Sequence, residues 1–382
     1  MIKGFKIRIY PTNEQAHKIM YNIGACRFIW NYMLETQKRR SENHENLLFE
    51  FDMNKLITNM KKQEEYEWLK KASNASLQQT CRALNLAYKQ FFKKEKGCPK
   101  FKSKKKSKRS YPVGIRCFHF CEEAVKIPTI GWIKYKTDLK IPLGPNKPFS
   151  NIHISYCNDK YFLSFSTECE NQTLQLTNKR MGIDLGVKKL AVVACEEEKY
   201  TFYNINKSKR VRFIKERLKH TQRSISRKYL ASKRKTGEYI RSKNIERELR
   251  KMRTLYTRLT NIKINYIHQT THKLIMLKPQ TVVMEDLLVE ILAHYNEKMR
   301  GKIMEQMFYE FIRQMKYKCD WAGIEFVQAD RFYPSSKTCS VCGCINRNLK
   351  LTDRIFNCHV CNSSIDRDYN AALNLMRYKA YN

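Results

Sequence analysis

Residues Lys3 to Tyr10 alternate, with Phe5, Ile7 and Ile9 set against Lys6, Arg8 and Tyr10. This is the period of a half-buried strand, and Pro11 stops it. From about Asn13 to Phe92 the period lengthens. Glycine and proline become scarce, and apolar residues recur three or four apart, as in Leu77, Cys81, Leu84, Ala87 and Phe91, which predicts helices. From Tyr111 to about Glu170 the strand period returns, and two apolar runs flank Asn158-Asp159, a turn pair. Two β segments bracketing a helical block predict a β-barrel interrupted by an inserted helical domain.

Beyond Arg180 the pattern changes again. Met181 to Gly186, Leu190 to Ala194 and Tyr200 to Tyr203 read as three strands. Residues 204–260 hold almost no glycine or proline and read as a long helical hairpin turning near Thr236-Gly237. Thr281 to Met284 is a fourth, buried strand. Met304, Met307, Phe308, Phe311, Ile312 and Met315 share one helical face, Ile324 to Val327 makes a fifth strand, and Asn370 to Met376 a last helix. Three strands, a helix, a strand, a helix, a strand and a helix is the outline of a ribonuclease-H-like fold. The chain of 382 residues is therefore expected to be multidomain α+β.

Charge narrows the function. There are 74 basic and 36 acidic residues, a net charge of +38, so a polyanion is the expected partner. No apolar run approaches a membrane span and Met1 to Lys6 lacks a secretory apolar core, which favours nucleic acid over membrane. Lys93 to Arg109 holds ten basic residues and one acid, and 204–260 twenty basic and four acidic. Lys100, Lys102, Lys104, Lys105, Lys106 and Arg109 are the candidate phosphate contacts of the first run. Fourteen cysteines without an export signal point to a reducing cytosol, and a prokaryotic, nucleoid-associated cytoplasmic location is expected.

Cys339-Ser340-Val341-Cys342 and Cys358-His359-Val360-Cys361 are separated by fifteen residues, the spacing of a structural four-cysteine zinc site. Cys344 is then surplus, and Cys117, His119 and Cys121 lack a partner pair. Three acidic motifs stand apart from the zinc pairs. Asp184 lies in Gly182-Ile183-Asp184-Leu185-Gly186, whose glycines would admit a phosphate or metal to the backbone. The motif also suits actin-like ATPases, but twelve glycines with no Gly-Gly pair lack the phosphate loops those enzymes need. Glu285 and Asp286 end an apolar run, and alternation puts them on opposite faces, leaving Asp286 to a cap or loop salt bridge. In Asp366-Arg367-Asp368 one acid caps the last helix and the other faces the site. Three carboxylate sites on one sheet suit two Mg2+ (or Mn2+) ions, which prefer hard oxygen ligands and cleave phosphodiesters.

Gly182 to Lys188, Met284 to Leu287, Tyr333 to Gly343 and Asp366 to Ala372 together resemble the TnpB family, transposon-encoded RNA-guided DNA nucleases related to type V CRISPR effectors. Arg8 to Thr12, Phe28 to Asn31, Leu77 to Gln79 and Pro99 to Lys104 are similar to the family's N-terminal half. The resemblance implies a wedge β-barrel (1–12 and 111–178) holding a helical recognition domain with its basic arm (13–110). A RuvC nuclease domain follows (179–336 and 365–382), with the basic hairpin at 204–278 and a zinc knuckle inserted at 337–364. It implies Asp184, Glu285 and Asp368 as the metal-binding and catalytic triad. It also implies one structural Zn2+ on Cys339, Cys342, Cys358 and Cys361, a transposon-derived guide RNA, and target DNA. The heavily basic 204–260 stretch departs from the family pattern. The rival readings are a non-cutting regulator of transposition, which could dispense with the triad, and a transposase acting alone, for which the order of acids is wrong.

Overall fold

The computed structural model describes residues 1–115, 118–142, 148–170, 174–287, 297–350 and 352–379. The chain divides into two compact units, Met1–Glu170 and Asn171–Asn382.

In the first unit β1 (Ile2–Tyr10) buries Ile7 and Ile9 and turns Lys6 and Arg8 outward. Thr12 then starts α1 (Asn13–Glu42) with a reciprocal cap. Its hydroxyl accepts from the Gln15 amide at 3.3 Å, and the Gln15 side chain accepts from the Thr12 amide at 3.0 Å, so two otherwise orphaned helix-start donors are satisfied. α1 buries Ile19, Ile23, Cys26, Trp30 and Met33 against α2 (Glu50–Met60) and α3 (Asn74–Phe92). The chain returns to strand as β2 (Arg109–Pro112), β3 (His119–Phe120), β4 (Ala124–Ile127), β5 (Gly131–Lys136), β6 (Phe149–Cys157) and β7 (Lys160–Glu168). These join β1 in one antiparallel sheet of order β2-β6-β7-β1-β5-β4-β3. The helical block is thus inserted between strands of one sheet. Asn158 and Asp159 turn the β6–β7 hairpin with φ of 50° and 59°, the positive values that a tight hairpin turn requires. Among the described residues no strand pair joins β2 to β3, so hydrogen bonds do not close the expected barrel.

In the second unit β8 (Arg180–Leu185), β9 (Lys189–Cys195) and β10 (Glu198–Tyr203) form an antiparallel meander. Helices α4 (Lys209–Thr236) and α5 (Lys243–Ile275) follow as a hairpin, ended where expected by Gly237 in the left-handed conformation at φ 74°. Then come β11 (Thr281–Glu285), α6 (Glu297–Gln306), α7 (Phe308–Ala322) and β12 (Glu325–Ala329). After a small hairpin of β13 (Ile355–Asn357) and β14 (Ser364–Asp366), α8 (Arg367–Arg377) ends the described chain. The large sheet has order β10-β9-β8-β11-β12, with β8, β11 and β12 parallel. One expectation fails here. Met307 adopts φ 58° and breaks the helix, so Met304 is exposed while Phe308, Phe311 and Met315 are buried. The apolar face read as continuous from 304 to 315 begins at the break.

The two faces of this sheet are covered differently. Met181, Ile183, Val282 and Met284 pack with α5 and α7. The alternate residues Val192, Ala194 and Val283 pack under α8. Gly182 faces α8 so closely that a Cβ there would overlap the Ala372 carbonyl oxygen and the Met376 amide. That role differs from the expected one: Gly182 admits a helix backbone, not a ligand. Among the described residues no helix is long and apolar enough to cross a membrane, and no disulfide forms. Because the obstruction at position 182 is backbone and cannot swing away, Gly182→Ala is expected to destabilise the protein by at least about 2 kcal/mol. Chemical denaturation checks this; an unchanged midpoint would mean that α8 moves freely on the sheet.

Candidate metal and phosphodiester site

The approach of α8 to β8 builds the site. Asp184 is two residues beyond Gly182 on the same strand face, and Asp368 is one helical turn before Ala372 on the same helix face. Two strand steps span about 6.6 Å and one turn about 5.4 Å, so the contact at Gly182 brings Asp368 toward Asp184. The parallel register Met284↔Ile183 carries Glu285 alongside Asp184 at the end of β11. Glu285 shares its face with Val283, which packs under α8. All three acids line one cleft of about 930 Å³.

Their surroundings differ. Burial raises the Asp184 carboxyl well above its ordinary range, the Glu285 and Asp368 carboxylates push it further, and Arg367 only partly offsets them. Among the described residues no donor hydrogen-bonds the Asp184 carboxylate. Glu285 accepts from the Ser335 hydroxyl through Oε1. Asp368 lies 3.7 Å from Lys189. Asp366 is satisfied by protein: Oδ1 accepts from the Tyr369 amide at 3.0 Å as the cap of α8, and Oδ2 accepts from Lys189 at 2.9 Å. Burial works against its charge, yet the Lys189 and Tyr369 bonds hold its carboxyl below the usual range. Asp286 points away and pairs with Arg331 at 2.8 Å, as strand alternation leads one to expect. An acid cluster with so few protein donors has the chemistry of a hard-cation site. Lys189 and Ser335 are not apparent from the motifs themselves, although Ser335 sits inside the Tyr333 to Gly343 run.

Cys339, Cys342, Cys358 and Cys361 offer four thiols all within 4.8 Å of one another. Cys339 and Cys361 sulfurs are 3.7 Å apart and those of Cys342 and Cys358 3.5 Å, close to the ~3.8 Å edge of a tetrahedron with 2.3 Å Zn–S bonds. The donor set therefore fits zinc. Gly343, at φ 76°, closes the first knuckle, and its amide donates to the Cys339 carbonyl at 2.9 Å. The Ser363 hydroxyl bridges Cys339 at 3.4 Å and Cys361 at 3.2 Å. Cys344 stays outside the four, 3.4 Å from the His359 ring. Cys117 lies outside the described residues, and His119 and Cys121 join no metal-ligand group among them.

In the first unit, Lys100, Lys104, Lys105 and Lys106 are exposed, whereas Lys102 and Arg109 are half-buried. Trp30 donates to the Lys100 carbonyl at 3.0 Å, and Asn31 exchanges bonds of 2.9 and 2.8 Å with the Lys102 backbone. The Lys102 ammonium sits 3.4 Å over the Trp30 ring, and burial pulls it down to about 8. The basic arm is thus pinned at Lys102, and Arg109 lies over the Tyr156 ring at 5.6 Å.

The raised Asp184 carboxyl has a consequence for stability. The folded protein holds a proton that the unfolded chain releases in the ordinary carboxylate range. Stability of the metal-free protein therefore falls as pH climbs from about 4 toward the raised value. Asp184→Asn removes this contribution. The variant is expected to melt above the metal-free parent at neutral pH, with the gap closing toward pH 4. Thermal melts across pH check this, and parallel profiles would contradict the electrostatic account.

Three family profiles match the chain: "Helix-turn-helix domain" over residues 1–46, "Probable transposase" over 164–296 and "Cas12f1-like, TNB domain" over 308–375. Residues 1–46 form a strand and one long helix here. A "Putative RNA-guided DNA endonuclease" of Streptomyces pristinaespiralis is 30% identical over 375 residues, covering 98% of this chain and 88% of the relative. The "Putative RNA-guided DNA endonuclease InsQ" of Escherichia coli K12 is 27% identical over 394 residues, covering 98% and 92%. Among solved structures, the Cas12f1 chain of a Cas12f1–sgRNA–target DNA complex matches 99% of each chain with a TM-score of 0.62 at 14% identity, a likeness of fold. With nearly its whole length aligned to such a relative, the chain belongs to the TnpB family.

Proposed function

We propose that the protein is an RNA-guided DNA endonuclease of a transposable element, which cleaves target DNA by metal-dependent phosphodiester hydrolysis at a RuvC-type site. The observation that carries this reading is the convergence of Asp184, Glu285 and Asp368 in one cleft of a chain with net charge +38. A pair of ions held by these carboxylates would supply an activated water and stabilise the leaving oxygen of an in-line displacement.

The protein's own contribution is position and charge. Asp184 and Glu285 stand near the ends of adjacent parallel strands and Asp368 in the first turn of a capped helix, which would set the backbones of the ligands before substrate binds. Lys188, Lys207, Lys302 and Arg354 also line the cleft and would hold the phosphates flanking the scissile bond. The wedge, recognition, nuclease and zinc-knuckle boundaries given by the resemblance belong to this proposal, with the guide RNA and target DNA as partners. Pairing with the guide would read sequence, while the protein reads backbone shape and an adjacent duplex motif. The zinc knuckle carries no catalytic role in this reading.

Sequencing the RNA that co-purifies with the protein supplies the guide, and cleavage with that guide tests the activity. Asp184→Ala is expected to retain RNA binding near the parent level and to lose cleavage; cutting by the purified variant would remove the triad assignment. Binding to guide RNA is expected to weaken about 10³- to 10⁵-fold between 50 and 200 mM salt if six to ten phosphates are neutralised. A flat salt response, read by filter binding, would exclude the basic regions as the footprint.

A further inference from the structure

We infer that Ser335 is a positioning residue for Glu285, and that α8 holds Ser335 in place through Asn374. The inference rests on the metal-site reading of the acidic cleft.

Glu285 ends β11, where the strand no longer restrains a long and flexible side chain. One contact does. Ser335 is buried, at 2% exposure, and its hydroxyl donates to Glu285 Oε1. Among the described residues Oε2 receives no donor. A hydroxyl is a neutral donor, so it orients the carboxylate without cancelling its charge. Asp286, next in sequence, shows the contrast, because Arg331 quenches it. An acid that is to hold a cation needs the first arrangement.

Ser335 is itself held by α8. Asn370 and Asn374 lie one turn apart and are almost fully buried, at 0% and 5% exposure. Asn374 Nδ2 donates to the carbonyls of Ser335 and Thr338, both at 2.7 Å. Asn370 Nδ2 donates to the Thr338 carbonyl at 2.7 Å, and its Oδ1 accepts from the Ser340 amide at 2.9 Å. Arg377 also donates to the Ser340 carbonyl. Two helix turns thus grip the stretch from Ser335 to Ser340, and Cys339, a zinc ligand by its geometry, lies within that grip. The same helix presents Asp368 in its first turn. A single rigid element therefore sets Asp368 directly and Glu285 through Ser335. Cys339 of the knuckle is part of the same gripped stretch.

The test measures Mn2+ binding to the purified protein by electron paramagnetic resonance, alongside single-turnover cleavage at graded Mn2+ and zinc content per chain. Ser335→Ala is expected to weaken Mn2+ binding about ten-fold. It should raise the half-saturating Mn2+ for cleavage far more than it lowers the saturated rate. Ser335→Thr, which keeps the hydroxyl, should recover the parent affinity. Asn374→Ala, which touches neither Glu285 nor the thiols, should shift Mn2+ affinity in the same direction with zinc content unchanged. Parent-like Mn2+ affinity in both folded variants, Ser335→Ala and Asn374→Ala, overturns the inference. Asp184→Ala is the separate control. If it too binds Mn2+ as the parent does, the metal-site reading fails; if it alone loses binding, only the role of Ser335 fails.

Discussion

The candidate site depends on one close approach, the backbone of α8 lying against Gly182 of β8. Any side chain at position 182 would meet the Ala372 carbonyl and the Met376 amide. The helix would then stand off from the sheet, and Asp368 would move away from Asp184. Glycine in a strand interior weakens the strand, and here that cost is offset by the packing of Ala372 and Met376 on Val192 and Ala194. The sheet order third-second-first-fourth-fifth contributes the other half. It makes β8 and β11 parallel neighbours, so Asp184 and Glu285 leave the sheet at the same edge and on the same face.

Bringing these acids together opposes the local electrostatics. Burial and two neighbouring carboxylates disfavour the charge on Asp184, and the protein leaves this group without a cationic partner while pairing its neighbours. Asp366 takes Lys189, and Asp286 takes Arg331. The distribution is uneven: Asp366 and Asp286 have close cationic partners at 2.9 and 2.8 Å, Asp368 shares Lys189 at 3.7 Å, and Glu285 has a neutral hydroxyl donor. The surrounding chain is strongly basic, which draws a polyanion toward the cleft, and Lys188, Lys207, Lys302 and Arg354 line that cleft beside the acids.

Much of the architecture was legible in the sequence, for identifiable reasons. The alternation from Phe5 to Ile9, the Asn158-Asp159 turn and Gly237 are local signals, and the backbone follows them. The paired Cys-x-x-Cys runs were legible because metal-ligand spacing is itself local. The apolar face from Met304 to Met315 misled, since a left-handed residue at Met307 divides it and periodicity does not register such a break. Lys102 reads in the sequence as one lysine of a basic run, and only the fold sets it over Trp30.

The sequence by itself determined the strands, helices, turns and thiol pairs, and the fact that three acidic motifs exist, because each is encoded by neighbours within a few residues. Tertiary structure alone decided which acid meets which partner. Asp366 takes as its nearest cation Lys189, 177 residues away in the chain, while Asp368 lines the cleft, and Glu285 is held by the hydroxyl of Ser335, 50 residues away. Charge pairing acts through space, and the distances that govern it come into being only when sheet and helix pack.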